Sequence, residues 1–485
     1  MVDVNPQEEP TEVTKLWPSN MATQGPVVPR GDEYLLSDLD MISPDTLVTS
    51  FLVYESQNDQ QFQLISDSLA YALKVAAERL PPIAAKIHFD SARRPHRRMT
   101  PGCLQLHVRR FEDGEHKPYN QLEKGSFSPY DFDRLRLLPE GAYADTGEKA
   151  VFMAQLNRIS GGLILALGFN HIATDGGGRS LATTMICSYS KSYLAASSLP
   201  PFSFDFNRGP LAAPSELLDL PKEQLLKRSE NHQIIDIAPT ATNGIQQPHQ
   251  TNGTPASPPR GLIYRIEGPA VQKLKESCKP LNGAKYVSSY DSIIGLLWTR
   301  VLHIRAEMKP HLQTGDSRLL HPIDLRSRGG TAIPKSYFGN AVTVASAGPV
   351  RMADLLGPDG LSCAASSIRA SIEQASVASI APATALGHMV GPTEKVVFRP
   401  KGGLAEENVM FTTWYFNRTE AYDFGVGPPS AVRTWAAPVP GFFILFPDCE
   451  RRQDSRVYDL FVTLPKAEQE TLSKDDEMQR WFRIL

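Results

Sequence analysis

The chain has 485 residues, of which 41% are hydrophobic and 21% are charged, and its formal net charge at pH 7 is −3. This balance is typical of a globular protein and excludes collagenous, coiled-coil and wholly disordered chains. It also argues against nucleic acid as a partner, because nucleic-acid-binding proteins usually carry a basic excess. Since a single core stops growing at roughly 250–300 residues, the length predicts two domains.

The five cysteines are scattered, odd in number and free of any Cys-x-x-Cys spacing. This pattern favours reduced thiols in a cytoplasmic protein over a disulfide scaffold or a zinc site, so no bound metal is expected. The acidic, proline-bearing start lacks the apolar stretch of a secretory signal. No apolar run approaches the roughly 18 residues that a membrane-spanning helix needs. We therefore expect a cytoplasmic protein without a membrane partner.

The first half of the chain is predicted to be an extended lead-in followed by a mixed domain. Prolines recur through residues 1–30 and are expected to prevent regular structure there. Apolar residues at helical spacing predict a helix over 61–80, which two prolines end. Strands are predicted at 83–89, 104–108, 150–156 and in the apolar run 161–170, before a glycine turn at 176–178 and a helix over 180–196 capped by Ser180 or Thr183.

The composition changes at about residue 236. Residues 236–261 are rich in Pro, Thr, Asn, Gln and Gly and have too few apolar side chains to offset their ordering entropy, so they are predicted to form a flexible linker. This predicts an N-terminal domain over 31–235 and a C-terminal domain over 262–485. In the latter, helices are predicted at 271–278 and 292–306 and strands at 262–266, 341–345, 409–414, 441–446 and 457–464, with short strands and loops elsewhere.

His171 is the first candidate functional residue, because it stands where the apolar run 161–170 ends and the glycine turn begins. A strand end holds a side chain rigidly and still lets it face a cleft. A histidine there can act as a general base, since its usual pKa near 6.5 lies close to working pH. Asp175 could orient the ring or brace the loop. The alternative is a half-buried histidine beside a turn-forming Asp-Gly pair.

The second candidate feature is the segment from Asp423 to Gly427, with the sequence Asp-Phe-Gly-Val-Gly. Two glycines that flank one apolar residue predict a tight turn whose backbone approaches a neighbour closely. Taken alone, the segment is equally typical of a plain hairpin in which Asp423 forms the turn. It is not a phosphate-binding loop, because neither a G-x-G-x-x-G nor a Walker spacing follows a strand.

Together, His-x-x-x-Asp-Gly in the first half and Asp-Phe-Gly-x-Gly near the end resemble the motifs of the BAHD acyltransferases. This family transfers an acyl group from coenzyme A to an alcohol or amine. Further segments resemble the family in its order: LSDLD at 36–40 with Pro44, LPPIAAK at 80–86, SYDS at 289–292 with Leu297-Trp298, PIDLRSR at 322–328, YFGNA at 337–341 and TTW at 412–414. Val426 replaces the tryptophan of plant members and Pro428-Pro429 replaces Lys-Pro, which resembles the fungal, trichothecene acetyltransferase-like branch.

The resemblance implies an α/β fold of mixed sheets with helices, in which two domains enclose a channel. An acyl-CoA, acetyl-CoA above all, would enter one face as co-substrate and a small-molecule alcohol the other, with no permanently bound cofactor. It further implies that His171 is the general base of a direct transfer without an acyl-enzyme, and that Trp414 or Thr412 stabilises the oxyanion. The alternative for Trp414 is an ordinary core aromatic.

The same resemblance assigns supporting roles around the site. Asp175, followed by Gly176, is expected to point away from the substrate and to pair with Arg326; Arg328 is the competing partner. Three further residues are expected to support the channel from a distance: Asp423, Gly425 and Gly427. Ser288 and Ser289 are expected to contact coenzyme A, or else to cap a helix.

The sequence therefore predicts a monomeric O-acyltransferase (class EC 2.3.1) that acetylates a hydroxyl of a fungal secondary metabolite such as a terpenoid or polyketide. One alternative is a relative of the condensation domains of peptide synthetases, which form amides or esters; these usually carry a doubled histidine, whereas Asn170 precedes His171 here. Another is a repurposed member that binds or cyclises a small molecule without acylating it. The intact His171, Asp175 and Asp423 argue against that alternative.

Overall fold

A computed structural model describes residues 12–16, 35–56, 59–90, 94–144, 146–229, 231–236, 259–326, 328, 333–391, 393–399, 404, 406–415, 417–450 and 456–485. The predicted linker lies outside the described residues except at its ends, where one strand finishes at residue 236 and another starts at 260. Most of the predicted lead-in lies outside them too.

The described strands are β1 (Glu12–Leu16), β2 (Leu47–Glu55), β3 (Ala85–His88), β4 (Thr100–Pro101), β5 (Leu104–Arg110), β6 (Glu148–Ala150), β7 (Phe152–Ile159), β8 (Gly162–Asn170), β9 (His232–Asp236), β10 (Arg260–Glu267), β11 (Asp316–Asp324), β12 (Val342–Arg351), β13 (Glu394–Phe398), β14 (Val409–Thr413), β15 (Ala431–Arg433), β16 (Phe442–Leu445), β17 (Val457–Leu464) and β18 (Arg483–Ile484).

The described helices are α1 (Asp38–Met41), α2 (Asp59–Arg79), α3 (Tyr119–Lys124), α4 (Arg134–Leu137), α5 (Gly176–Leu194), α6 (Ser215–Leu218), α7 (Lys222–Arg228), α8 (Gly268–Ser277), α9 (Ser289–Met308), α10 (Met352–Leu355), α11 (Gly360–Gln374), α12 (Val377–Met389), α13 (Lys466–Leu472) and α14 (Asp476–Trp481). Short 3₁₀ turns lie at Pro81–Ala84, Pro129–Asp131, Gly209–Leu211, Pro310–Thr314 and Thr419–Tyr422. In this part of the chain, no helix is both long and apolar enough to cross a membrane.

The first mixed sheet has the strand order β1-β5-β7-β8-β2-β15. Strand β8 is buried along its whole length and pairs antiparallel with both β7 and β2, as expected for an apolar run that forms a central strand. Helices α2 and α5 pack together against this sheet. Their shared core explains why α2 repeats its apolar residues at helical spacing.

The second sheet has the strand order β12-β11-β14-β16-β17-β10-β18. Helix α9 lies on it and buries Trp298, whose indole N–H donates to Ser317 Oγ at 2.9 Å. Helices α8 and α11 pack against α9, so each sheet carries its own helical layer and its own core. This mixed α/β architecture around two sheets is the predicted fold class.

The two halves of the chain are interlocked rather than simply adjacent. Strand β15 comes from the second half and pairs antiparallel with β2, which makes it the edge of the first sheet. The sequence stretch around Asp423 therefore reaches the first sheet just before β15 begins. A domain boundary drawn by sequence position alone does not reveal this exchange.

Three sequence predictions were wrong in detail. Strand β1 lies in the lead-in and pairs with β5. Prolines that flank a segment do not prevent the residues between them from pairing. The glycines at 176–178 form the first turn of α5, and its cap is Asp175 rather than Ser180 or Thr183. The stretch expected to hold short strands and loops contains α11 and α12.

Candidate active site

A cavity of about 1230 Å³ is lined by residues from both halves of the chain, mostly apolar ones. It exceeds the range of roughly 300–1,000 Å³ that single small-molecule pockets occupy. Strands β8, β11, β14 and β16 and the start of α5 contribute to its wall. The volume is sufficient for two substrates to meet inside the protein.

His171 directly follows the last residue of β8 and lines this cavity. Its backbone N–H donates to the carbonyl of Thr46 at 2.8 Å, and its own carbonyl accepts from Asn340 Nδ2 at 2.8 Å, so both sides of its backbone are fixed. Burial lowers the pKa of His171. The ring is therefore neutral near pH 7 and can accept a proton.

Asp175 uses both carboxylate oxygens away from the histidine ring. Oδ1 accepts from the Gly178 N–H at 3.1 Å and from Arg326 Nη2 at 2.8 Å, while Oδ2 accepts from Arg326 Nη1 at 2.9 Å and from the Ala341 N–H at 2.7 Å. Burial alone would raise the pKa of Asp175, but the Arg326 guanidinium and these hydrogen bonds hold it below its usual value. Asp175 thus braces the loop as an anion.

Arg326, and not Arg328, is the arginine that pairs with Asp175. The two side chains form a bidentate ion pair, the stronger geometry for arginine and carboxylate. Arg328 donates instead to the backbone carbonyls of Asp324 and Ile372. The buried pair joins the start of α5 in the first half to the end of β11 in the second, next to the cavity.

Two residues that hold the His171 loop were not predicted to do so. Asn340 Nδ2 donates to the carbonyls of His171 and Ile172 and to Asp40 Oδ1, and the backbone N–H of Asn340 also donates to Asp40 Oδ1. Both residues belong to segments quoted for the family resemblance, LSDLD and YFGNA. Their presence in those motifs was the available signal, but the 300-residue separation hid their contact.

The glycines that follow Asp175 are explained by close packing. A Cβ at Gly177 would lie 2.7 Å from Arg326 Nη1, and one at Gly178 would overlap the hydroxyl of Thr174. Side chains at these positions would push the arginine or the loop away. Gly176, which was predicted to support the site, is the first residue of α5 and lines the cavity.

Trp414 and Thr412 both line the cavity, as His171 does. Thr412 lies in β14. Trp414 directly follows this strand, and its backbone N–H donates to the carbonyl of Leu445 at 2.8 Å. Trp414 is also a packed residue with 7% exposure, so its aromatic core role and its place at the cavity coexist. The assignment of either side chain to the oxyanion stays a prediction.

Arg179 is a cavity residue that the sequence reasoning missed. It lies in the first turn of α5, and its guanidinium carbon is 4.4 Å from the centroid of the Trp414 ring. Burial lowers its pKa to about 10, which leaves the side chain cationic at neutral pH. The available signal was an arginine four residues after Asp175, in the first turn of a helix where cations are unfavourable.

The segment from Asp423 to Gly427 lies outside the cavity wall. Asp423 Oδ1 accepts from the N–H groups of Gly425 and Gly427 at 2.8 and 2.9 Å, and its Oδ2 accepts from Lys191 Nζ at 2.7 Å. Both glycines have left-handed backbone angles, with φ of +110° and +90°. The backbone carbonyl of the buried Phe424 accepts a hydrogen bond from Ser190 Oγ of α5, so the segment is held against this helix.

Neither Ser288 nor Ser289 lines the cavity wall. Ser288 caps α9: its Oγ accepts from the Asp291 N–H at 3.2 Å and from Arg369 Nη2 at 2.8 Å. This is the capping alternative, and the contact with coenzyme A remains a prediction. Tyr290, the next residue of α9, does line the cavity, together with His321, and the two side chains share a hydrogen bond of 3.1 Å.

Comparison with known proteins gives the family. The model of the Transferase family matches residues 26–479 of this chain. The chain belongs to this transferase family. The match confirms the resemblance to the BAHD acyltransferases.

The chain is also similar to individual fungal proteins. The chain is 24% identical over 277 residues to "Acyltransferase M4" of Phoma sp., a match that covers 52% of this chain and 53% of that protein. The chain thus spans about half the length of the curated relatives it matches. These relatives agree with the predicted fungal branch.

Two solved structures show the same fold. TRI101 of F. graminearum, in complex with coenzyme A and deoxynivalenol, superposes with a TM-score of 0.77 at 18% identity, over 93% of this chain and 99% of that one. Vinorine synthase superposes with a TM-score of 0.59 at 14% identity, over 97% and 98%. The predicted two-domain fold of mixed sheets is confirmed.

Proposed function

We propose that this protein is an acyl-CoA-dependent O-acyltransferase in which His171 is the general base. The observation that carries the proposal is the setting of His171: a neutral histidine, fixed through its backbone, in a cavity lined by both halves of the chain and large enough for two substrates. Asp175 is fully engaged with Arg326 and backbone amides, so it stabilises the loop and takes no proton.

The reaction balances without a covalent enzyme intermediate. His171 removes the proton from the acceptor hydroxyl while the oxygen attacks the thioester carbonyl. The carbon–sulfur bond of the tetrahedral intermediate then breaks, and the imidazolium returns the proton to the sulfur of coenzyme A. Such general base catalysis contributes about 10²–10⁴-fold in rate. Direct transfer is proposed because a thioester is already activated, so no acyl-enzyme is needed.

The developing oxyanion needs a donor, and Trp414 or Thr412 is proposed for that role. Both line the same cavity as His171. A positioned donor of this kind contributes about 3–4 kcal/mol to the transition state. The indole N–H and the threonine hydroxyl are both neutral donors, so neither would compete with the histidine for the proton.

The substrates are proposed from the comparisons and from the cavity. TRI101 is seen with coenzyme A and deoxynivalenol, and M4 is named an acyltransferase, which supports an acyl-CoA donor and a small hydroxylated acceptor. The mostly apolar wall suits a terpenoid or polyketide skeleton rather than a sugar. Acetyl is the proposed acyl group because it is frequent among the resembling enzymes.

The test is acyl transfer by the wild type and by His171→Ala, with acetyl-CoA and a panel of hydroxylated terpenoids and polyketides. Release of the coenzyme A thiol and mass spectrometry of the acceptor report the reaction. We expect turnover to fall by at least about 10²-fold in the variant, because the general base is lost. The matched control is His311→Ala, since His311 is exposed and outside the cavity wall. Retained turnover in a folded His171→Ala protein would exclude the mechanism.

A further inference from the structure

One short stretch of the chain carries a cluster of buried polar atoms without partners. In the part of the chain that the structure describes, His171 Nδ1, Thr174 Oγ1 and Arg179 Nη1 are buried and form no hydrogen bond. All three residues line the cavity. Buried polar groups are nearly always hydrogen-bonded in proteins, so unpartnered ones on residues that line one cavity make these residues candidates for contact with a ligand.

Arg179 differs from the other two because it carries a full charge. It is 6% exposed. An isolated buried charge is costly, and buried arginines are usually paired for that reason. The other buried arginines here follow this rule, with carboxylate partners: Arg305 with Glu468, Arg326 with Asp175, Arg369 with Asp291, and Arg265 and Arg433 with Asp459.

Among the described residues, both carboxylates that line the cavity, Asp175 and Asp324, already have a partner. Asp175 already accepts four hydrogen bonds, two of them from Arg326. Asp324, which also lines the cavity, pairs with Arg326 Nη1 at 2.9 Å. The guanidinium carbon of Arg179 instead lies 4.4 Å from the centroid of the Trp414 ring, a cation–π contact that uses none of its N–H donors.

We propose that Arg179 binds a carboxylate carried by one of the two substrates, either on the alcohol or on the acyl group. This inference rests on the proposed function. The planar guanidinium matches a carboxylate through two parallel hydrogen bonds, and an apolar surrounding strengthens such a pair. The phosphates of coenzyme A are not candidates, because the pantetheine arm separates them from the sulfur and therefore from the neighbourhood of His171.

The experiment compares matched substrates that differ only in charge. In the donor arm, malonyl-CoA is compared with acetyl-CoA; in the acceptor arm, aromatic and aliphatic hydroxy acids are compared with their methyl esters. We expect the wild type to favour the carboxylate-bearing member of one arm by at least about tenfold in kcat/KM, the effect of one charge-assisted pair. That arm identifies which substrate carries the carboxylate.

The variants separate recognition from chemistry. Arg179→Gln is expected to lower kcat/KM for the carboxylate-bearing member by more than for the uncharged one, so that the preference disappears. Arg179→Lys is expected to retain part of the preference, because lysine keeps the charge but lacks the bidentate geometry. Arg351→Gln, which removes an exposed arginine far from the cavity wall, is the control. An equal loss on charged and uncharged substrates would overturn the proposal and assign Arg179 to the reacting carbonyl.

Binding and stability measurements keep the test independent of turnover. The same ligand pairs are compared by thermal unfolding of the wild type and Arg179→Gln, and the carboxylate-bearing ligand is expected to raise the midpoint more in the wild type only. Arg179→Met is expected to unfold at the same or a higher temperature, since it removes an unpaired buried charge. A large drop in the unfolding temperature of Arg179→Met would overturn the proposal, because Arg179 would then act as structural support for Trp414.

The two proposals fail in different ways. Turnover of uncharged alcohols that depends on His171, with no carboxylate preference in either arm and no difference in ligand binding, would retain the acyltransferase function and exclude the carboxylate site. Absence of acyl transfer from any acyl-CoA would exclude the function, and the binding comparison would still decide whether Arg179 recognises a carboxylate.

Discussion

Two loops of similar composition do different work in this molecule. In each loop an aspartate accepts hydrogen bonds from backbone N–H groups and from one cationic side chain: Asp175 in the loop from Asp175 to Gly178, and Asp423 in the loop from Asp423 to Gly427. Only the first lies beside the cavity. In it the side chains of Asp175 and Arg326 are 1% and 4% exposed, whereas in the second those of Asp423 and Lys191 are 16% and 58% exposed.

The difference teaches that burial, rather than the presence of an ion pair, decides how much each loop depends on its aspartate. An exposed pair is weakened by water and contributes little, while removal of one partner from a buried pair leaves an uncompensated charge. The buried loop at Asp175 therefore supports His171 rigidly, whereas the more exposed loop at Asp423 connects two segments of the chain.

The largest effect is expected for Asp175→Ala. Arg326 would keep its buried charge without its bidentate partner, and the N–H groups of Gly178 and Ala341 would lose an acceptor. We expect the free energy of unfolding to fall by about 3–5 kcal/mol. Turnover is expected to fall as well, because the His171 loop loosens. Urea unfolding followed by circular dichroism measures the loss.

The control for this prediction is the double variant Asp175→Ala with Arg326→Met. Removing both charges should restore part of the stability, because the coupling between contacting residues makes the two single effects non-additive. If Asp175→Ala proved as stable as the wild type, the distinction between the buried and the exposed loop would be wrong.

A smaller effect is expected for Gly425→Ala, in the second loop. Gly425 has a φ of +110°, and an added Cβ would overlap Leu194 of α5. Backbone strain and the displaced leucine together are expected to cost about 2–3 kcal/mol in unfolding free energy. The thermal unfolding midpoint measures this, and kcat/KM is expected to change less than for Asp175→Ala.

Gly427→Ala is the matched control, because Gly427 also has a left-handed backbone, with a φ of +90°, but among the described residues no atom beyond its chain neighbours lies within 4 Å of the added Cβ. It isolates the strain from the contact and is expected to cost about 1–2 kcal/mol. Equal costs for the two variants would contradict the role of the Leu194 contact.

Much of the fold was predictable where local signals are strong. Strand β8 is a continuous apolar run, α2 repeats its apolar residues at helical spacing, and β17 was predicted with its observed bounds of 457–464. His171 and the segment from Asp423 to Gly427 were singled out as candidates because they stand at predicted strand and turn positions, and their roles were assigned only through the family resemblance.

The remaining features depend on contacts that local sequence does not encode. Helix α12 has no distinct apolar stripe at helical spacing and contains Pro382, so neither periodicity nor propensity predicted it. The cap of α5 was missed because three glycines favour a turn unless an aspartate ahead of them caps a helix, as Asp175 does by accepting from the Gly178 N–H. The bond between Asp40 and Asn340 and the unpaired state of Arg179 appear only once the halves are packed.

The smallest effect is expected for Asp423→Ala, and it tests the comparison most sensitively. Lys191 is largely exposed, so its ion pair with Asp423 contributes little, and the loss should come from the acceptor of the Gly425 and Gly427 N–H groups. We expect about 1–2 kcal/mol in unfolding free energy. Asp423→Asn keeps the accepting oxygen and Lys191→Ala keeps the turn, so both should unfold near the wild-type midpoint, with unchanged turnover. A loss of unfolding free energy in Lys191→Ala as large as that in Asp423→Ala would show that charge, and not turn geometry, holds this segment against α5.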